Sequence, residues 1–163
     1  MKKVLITYYS KTNTTKEYAD TIKQVFSEHN FDVTLQDFNN ENNLKNYDLV
    51  IIGAPINGMK WAENATNFVE KNKEQLKQTQ VAYFIVSYFL NVARKPFRKA
   101  IYNSLNEVSK QVEPISIGRF LGRVDKPLPK FLHFVLAGRS KSPLDQVNLE
   151  DAKLWATNLI KDI

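Results

Sequence analysis

The chain has 163 residues, 43% hydrophobic and 25% charged, the balance of an ordinary globular domain long enough to bury a core. It contains no Cys, which excludes disulfides, iron–sulfur clusters, thiolate zinc sites and redox-active thiols, and only two His, so no metal ligand set is expected and redox work needs a borrowed cofactor. The formal net charge of +6 is unevenly spread: residues 91–141 carry eleven basic and three acidic side chains while residues 1–90 are neutral, so one third of the chain attracts anionic partners.

Strand and helix signals alternate from the start. Val4–Tyr9 is a short β-branched and aromatic run suited to a strand buried on both faces. Thr14-Thr15-Lys16-Glu17 reads as a Thr-x-x-Glu capping box opening a helix with Tyr18, Ala19, Ile22, Val25 and Phe26 on its apolar stripe, closed by His29-Asn30. Phe31–Leu35 alternates as a second strand, and Phe38–Tyr47 is too short for a crossover helix, so a loop or single turn is expected there. Asp48–Ala54 is a third strand, Ala62 to Leu76 a helix, Val81–Ser87 a fourth strand. Phe97, Ala100, Ile101, Leu105 and Val108 form another helical stripe before a fifth strand at Ile115–Ile117, and Asn148 caps a last helix reaching Ile163.

Five strands separated by helices predict one α/β domain over 1–163, a parallel sheet covered on both faces. The segment 119–145 breaks that rhythm. Lys, Arg and aromatic residues interleave in it, Pro127 and Pro129 punctuate it, and Phe131–Ala137 has room for two helical turns, so it reads as a basic, aromatic insertion before the last helix. Nothing predicts export: Lys2 and Lys3 precede a short apolar run with no cleavage pattern, and no apolar stretch nears the roughly 20 residues of a membrane-spanning helix. A cytoplasmic address is expected.

The chemistry concentrates after three strands. Ser10-Lys11-Thr12-Asn13-Thr14-Thr15 brings hydroxyls to a helix N-terminus, the setting of an anion cradle. It contains neither Gly-Lys-Ser/Thr nor Gly-x-Gly-x-x-Gly, which argues against a P-loop or dinucleotide fold. A hydroxyl-rich turn that merely caps its helix is the other reading of the same residues.

Ser10–Thr15 resembles the Ser/Thr-x-Thr-Gly-x-Thr loop by which flavodoxins hold the phosphate of FMN, with Asn13 in place of glycine; Asn is the next residue able to take a positive φ. The resemblance covers nearly the whole chain. It implies a doubly wound, flavodoxin-like sheet of order 2-1-3-4-5, with FMN at the carboxyl ends of the strands beside the switch point, a rule for which flavodoxin is itself an illustration. The ring is then expected between two loops. One comprises Pro55, Ile56, Asn57, Gly58, Met59 and Trp61, where Gly58 lets a peptide rotate to meet the reduced ring and Trp61 either stacks on it or packs against its own sheet. The other comprises Ser87, Tyr88, Phe89 and Asn91, with Tyr88 or Phe89 stacking and Asn91 at the ring's polar edge, or with the two aromatics only extending the core. No catalytic residue is assigned, and His133, flanked by Leu132 and Phe134, reads as a packing or surface residue.

Val92-Ala93-Arg94-Lys95-Pro96 and the basic insertion are also similar to the flavodoxin-like protoporphyrinogen IX dehydrogenases that pass electrons to menaquinone. Electron-shuttling flavodoxins are acidic, as the resemblance implies, whereas this chain is basic. The expectation is therefore an FMN-dependent oxidoreductase serving a quinone or redox-protein partner, with peripheral contact of 119–145 with the inner face of the membrane. A soluble electron carrier is the alternative. A nucleic-acid-binding module is not expected, since no RNA- or DNA-binding motif accompanies the basic patch.

Overall fold

The computed structural model describes residues 1–40, 43–137 and 143–163. Its elements are β1 (Lys3–Tyr8), α1 (Thr14–Glu28), β2 (Asp32–Asp37), β3 (Leu49–Asn57), β4 (Lys60–Trp61), α2 (Glu63–Leu76), β5 (Gln80–Ser87), α3 (Phe89–Val92), α4 (Lys95–Tyr102), α5 (Asn106–Gln111), β6 (Ser116–Leu121) and α6 (Leu149–Lys161). The main strands pair in parallel in the order β2-β1-β3-β5-β6. This is the expected 2-1-3-4-5 arrangement, with one strand added: β4, a two-residue antiparallel return on β3.

Alternation along the strands divides the core into two layers. Leu5, Val50, Ile52, Val81, Tyr83 and Ile85 face α2 and the α4–α5 side, where they meet Val69, Ile101, Leu105 and Val108. Val4, Ile6, Leu49, Ile51, Ala82 and Phe84 face α1 and α6, against Tyr18, Ile22, Phe26, Ala152, Ala156 and Leu159. On that second face Phe120 stacks on Tyr18 at 4.8 Å and meets Trp155 edge-on at 5.7 Å, so strand β6 and both helices share one aromatic cluster.

Among the described residues of the link from Phe38 to Tyr47, Leu44–Asn46 forms a 3₁₀ turn, in keeping with the single turn expected, opened by Asn43, whose Oδ1 accepts the Lys45 N–H at 3.2 Å. Other local expectations change in the folded chain. The stripe expected as one helix over Phe97–Val108 breaks into α4, a 3₁₀ turn at Asn103–Leu105, and α5. Ser104 contributes to the break, because its hydroxyl donates to the Ile101 carbonyl at 2.6 Å and competes for a helical acceptor. Ile101, Leu105 and Val108 are still buried, but Ala100 is exposed. The fifth strand runs on to Leu121, so Arg119, Phe120 and Leu121 belong to the sheet and the irregular segment begins at Gly122.

Within that segment Lys130–Val135 forms a 3₁₀ helix in place of two α-turns. It is clipped to the start of α4: the Arg94 N–H donates to the Val135 carbonyl at 2.8 Å, Arg94 Nε to the Leu136 carbonyl at 2.9 Å, and Phe97 meets Phe134 edge-on. His133 Nε2 lies 3.1 Å from the Leu128 carbonyl, a contact within the segment itself. Positions 138–142, with Arg139 and Lys141 of the basic stretch, lie outside the described residues.

Two buried phenols couple this core to pH. The Tyr83 hydroxyl donates to the Val112 carbonyl at 2.8 Å, and that of Tyr18 donates to the Leu121 carbonyl while accepting the Asn148 N–H at 3.0 Å. Burial pushes both phenols above their ordinary range. The folded state thus holds these protons more tightly than the unfolded chain, and the stability they contribute is complete below the unfolded value of about 10 and lost as pH rises through the folded values. Melting temperature is expected to fall steeply above about pH 10, and the Tyr83→Phe variant to fall less steeply; equal slopes in calorimetric pH series would remove Tyr83 as a source.

Candidate functional site

β1 and β3 are neighbours in space, yet the helices that follow them leave on opposite faces of the sheet. Such a divergence opens a crevice outside the carboxyl ends of the strands. An open cleft lies there, the usual place for a ligand in such a sheet. Three loops predicted to meet do so. Lys11, Thr12, Thr14 and Thr15 form one wall, Pro55, Ile56 and Asn57 another, and Ser87, Tyr88 and Phe89 a third.

The first wall is organised by Asn13. It occupies the N-cap of α1 at φ 64°, the left-handed conformation that a glycine would otherwise supply. No side chain caps this helix end, so the capping box read from Thr14 and Glu17 does not form. Glu17 is engaged elsewhere, in a two-bond ion pair with Arg123 at 2.7 and 3.1 Å. The uncapped amides of α1 and the Thr12 and Thr14 hydroxyls, 3.4 Å apart, therefore converge at the mouth of the cleft. Ser10 adds a buried Oγ with no hydrogen-bond partner; it borders an adjoining depression with Tyr9, Asn13 and Asn64.

The second wall ends in a hairpin. Asn57 pairs with Lys60, and both residues between them take positive φ, Gly58 at 54° and Met59 at 65°, the signature of a two-residue primed turn. Both stand at the tip of the hairpin, beyond the residues that line the cleft. Trp61 does not reach the cleft either. It is 3% exposed, donates Nε1–H to the Ala54 carbonyl at 3.2 Å and leans on Tyr83 at 5.3 Å. Of its two readings, packing against its own sheet is the one the structure adopts.

In the third wall the Ser87 hydroxyl accepts the Phe89 N–H at 3.2 Å, turning the chain directly into α3. Tyr88 and Phe89 meet edge-on at 5.6 Å and both line the cleft while also packing on Val92, Val124, Leu128 and Leu136. Extension of the core and contribution to the cleft are thus one arrangement. Asn91 is not among the residues that line the cleft, and it donates to Gln146 Oε1 at 3.3 Å.

The residues missed by sequence reading are Val86, Gly122, Arg123 and Val124. The last three follow β6 at the same carboxyl rim, and placing the strand end at Ile117 hid them. The alternation of Ile117, Arg119 and Leu121 with Gly118 and Phe120 was the available signal. Gly122 sits so close to the chain at Ser87–Tyr88 that a Cβ would lie 3.0 Å from the Tyr88 nitrogen. Among the described residues no group of three His, Asp or Glu is arranged to hold a metal ion, and no helix is long and apolar enough to cross a membrane.

No curated protein sequence matches the chain. Solved structures do. Flavodoxin 1 from Bacillus cereus superposes with a TM-score of 0.61 at 16% identity, covering 99% of both chains. A flavodoxin from the domain Archaea gives 0.60 at 17%, covering 98% of this chain and 97% of that one. A flavoprotein from Lactobacillus acidophilus NCFM, solved in complex with FMN, gives 0.56 at 22%, covering 73% and 93%. At these identities the likeness is one of fold. The profile of the flavodoxin domain matches residues 5–134, most of the chain, and with the sheet order and the carboxyl-rim cleft it identifies the chain as a member of the flavodoxin domain family.

Proposed function

We propose that the protein binds FMN at the carboxyl-rim cleft and transfers electrons through it. The observation that carries this reading is the junction of an uncapped helix end, ringed by Thr12, Thr14 and Thr15, with an adjoining aromatic slot. The residues fit the group: a phosphate needs N–H and O–H donors, and a flat ring needs Tyr88 and Phe89 on one side and the Pro55–Asn57 backbone on the other. FMN, when bound, supplies reversible electron and hydride transfer. The chain's part is to hold the phosphate, exclude water from the ring and present its edge.

The test is reconstitution. Apoprotein titrated with FMN is expected to quench flavin fluorescence up to one equivalent and to stay yellow after gel filtration removes free flavin. Protein recovered colourless from excess FMN overturns the reading.

For the partner, we propose a quinone-type acceptor reached at an anionic membrane surface. Phe131 and Phe134, 75% and 57% exposed, are carried on the clipped 3₁₀ helix beside exposed Lys126 and Lys130. Each basic residue near such a surface contributes about 1 kcal/mol, and two inserted rings add more. The Phe131→Ser/Phe134→Ser variant is expected to bind anionic vesicles about tenfold more weakly while keeping FMN affinity. Sedimentation with vesicles checks it; wild-type protein that ignores them leaves the soluble electron carrier as the reading. Oxidation of a porphyrinogen, drawn from the Val92–Pro96 similarity, is tested in the same preparation by flavin reduction with protoporphyrinogen and reoxidation with menaquinone.

A further inference from the structure

A phosphate at the start of α1 meets an electrostatic obstacle on the same helix. Glu17 lies in the first turn of α1, three residues after Thr14. A carboxylate there favours the helix dipole but competes with an anionic ligand for the same positive helix end. Arg123, 106 residues further on, covers it. Its Nη1 and Nη2 donate to Glu17 Oε1 and Oε2, and its Nε donates to Asp145 Oδ2 at 3.2 Å. The Glu17 side chain is 39% exposed and that of Arg123 28%, so the pair is partly shielded from water, while Asp145 at 61% is solvated. Arg123 lines the cleft together with Lys11, Thr12, Thr14 and Thr15. These three hydrogen bonds use three of the five guanidinium N–H donors.

We propose that Arg123 determines specificity for a ligand ending in a phosphomonoester: by masking Glu17 and facing the cradle, it lets the α1 terminus accept a dianion. This deepens the FMN reading and rests on it for the identity of the ligand. The other charges of the region fit the assignment. Lys16 is held by Asp20 at 2.7 Å, Asp145 is bound to the same guanidinium, and Lys11 lines the cleft.

The experiment compares wild type, Arg123→Gln, Glu17→Gln and the double variant. Each is titrated with FMN and with riboflavin at low and high salt, and melted with and without inorganic phosphate. Wild type is expected to prefer FMN and to be stabilised by phosphate. Arg123→Gln should lose ten- to a hundredfold in FMN affinity, more at low salt, with riboflavin affinity changed by less than about threefold. The double variant should regain most of that loss, and Glu17→Gln should bind FMN at least as tightly as wild type. Glu17→Gln keeps the arginine in place, so it remains informative if Arg123→Gln fails to fold. An unchanged FMN-to-riboflavin ratio in Arg123→Gln, a double variant no better than the single, or weaker FMN binding by Glu17→Gln overturns the proposal. Phosphate stabilisation that depends on Arg123 without any flavin binding would keep this proposal and sink the flavin reading. Wild type that responds to neither phosphate nor flavin sinks both.

Discussion

Thr12→Glu is expected to lower FMN affinity by about a thousandfold or more and to leave the melting temperature within about two degrees of wild type. Thr12 is exposed and lines the cleft where the α1 amides converge, so a new carboxylate there faces any bound phosphate. Two unit charges about 4 Å apart repel by roughly 4 kcal/mol near a protein surface, and each 1.4 kcal/mol is a factor of ten in affinity. The neighbouring threonines would not serve as well. Thr14 and Thr15 are 5% and 2% exposed, so a carboxylate at either would be buried and would confound loss of binding with loss of fold. Fluorescence titration with FMN, beside a thermal melt, checks the result. Unaltered affinity in a folded Thr12→Glu protein removes the phosphate from this loop.

The second large effect lies beneath the site. Gly53 pairs with Phe84 across β3 and β5, and a Cβ built on it would lie 1.9–2.4 Å from the Phe84 ring. That ring cannot swing aside cheaply, because it is fully buried and enclosed by Phe120 at 5.7 Å and Trp155 at 6.4 Å. The missing side chain at position 53 is the space the ring occupies. Gly53→Ala is therefore expected to destabilise the fold by about 3 kcal/mol, the upper part of the range for overpacking a close-packed core. For a chain of this size that lowers the melting temperature by roughly 6–12 °C. Adding Phe84→Leu should restore part of the loss. A Gly53→Ala protein as stable as wild type would mean that β3 and β5 slide apart more freely than the shared aromatic cluster implies. Flavin affinity of the variant, measured well below its melting point, is expected to change little, since Pro55–Asn57 rather than Gly53 line the cleft.

How much was legible in advance depended on whether a residue's role is local or long-range. The succession of apolar runs and helical stripes was sufficient for the parallel sheet and its two covered faces, because strands buried on both sides read as continuous apolar runs; the strand order came from the resemblance to flavodoxins. The hydroxyl-rich turn was legible for a similar reason: Asn13 at positive φ and the threonines around it act within a few residues of one another. So was the last helix, since Asn148 Oδ1 accepts from the Glu150 N–H only two residues on.

Where partners came from distant segments, local reading chose the nearer one. Glu17 looked like half of a capping box until Arg123 claimed its carboxylate across 106 residues. Trp61 was open to two roles until β3 turned back on itself and the indole met the Ala54 carbonyl. Strand β6 was cut short at Ile117 because its last three residues resemble the basic segment after them in composition; only pairing with Ile85, Val86 and Ser87 of β5 shows that they continue the sheet. Composition and period, then, determined the α/β class, and the Ser10–Thr15 motif the resemblance to a family and the cradle at the first turn. Which charges oppose one another at that cradle, and which aromatics are left for a ligand, was decided by tertiary structure, since ion pairs and edge-on rings follow distance in space and leave no period along the chain.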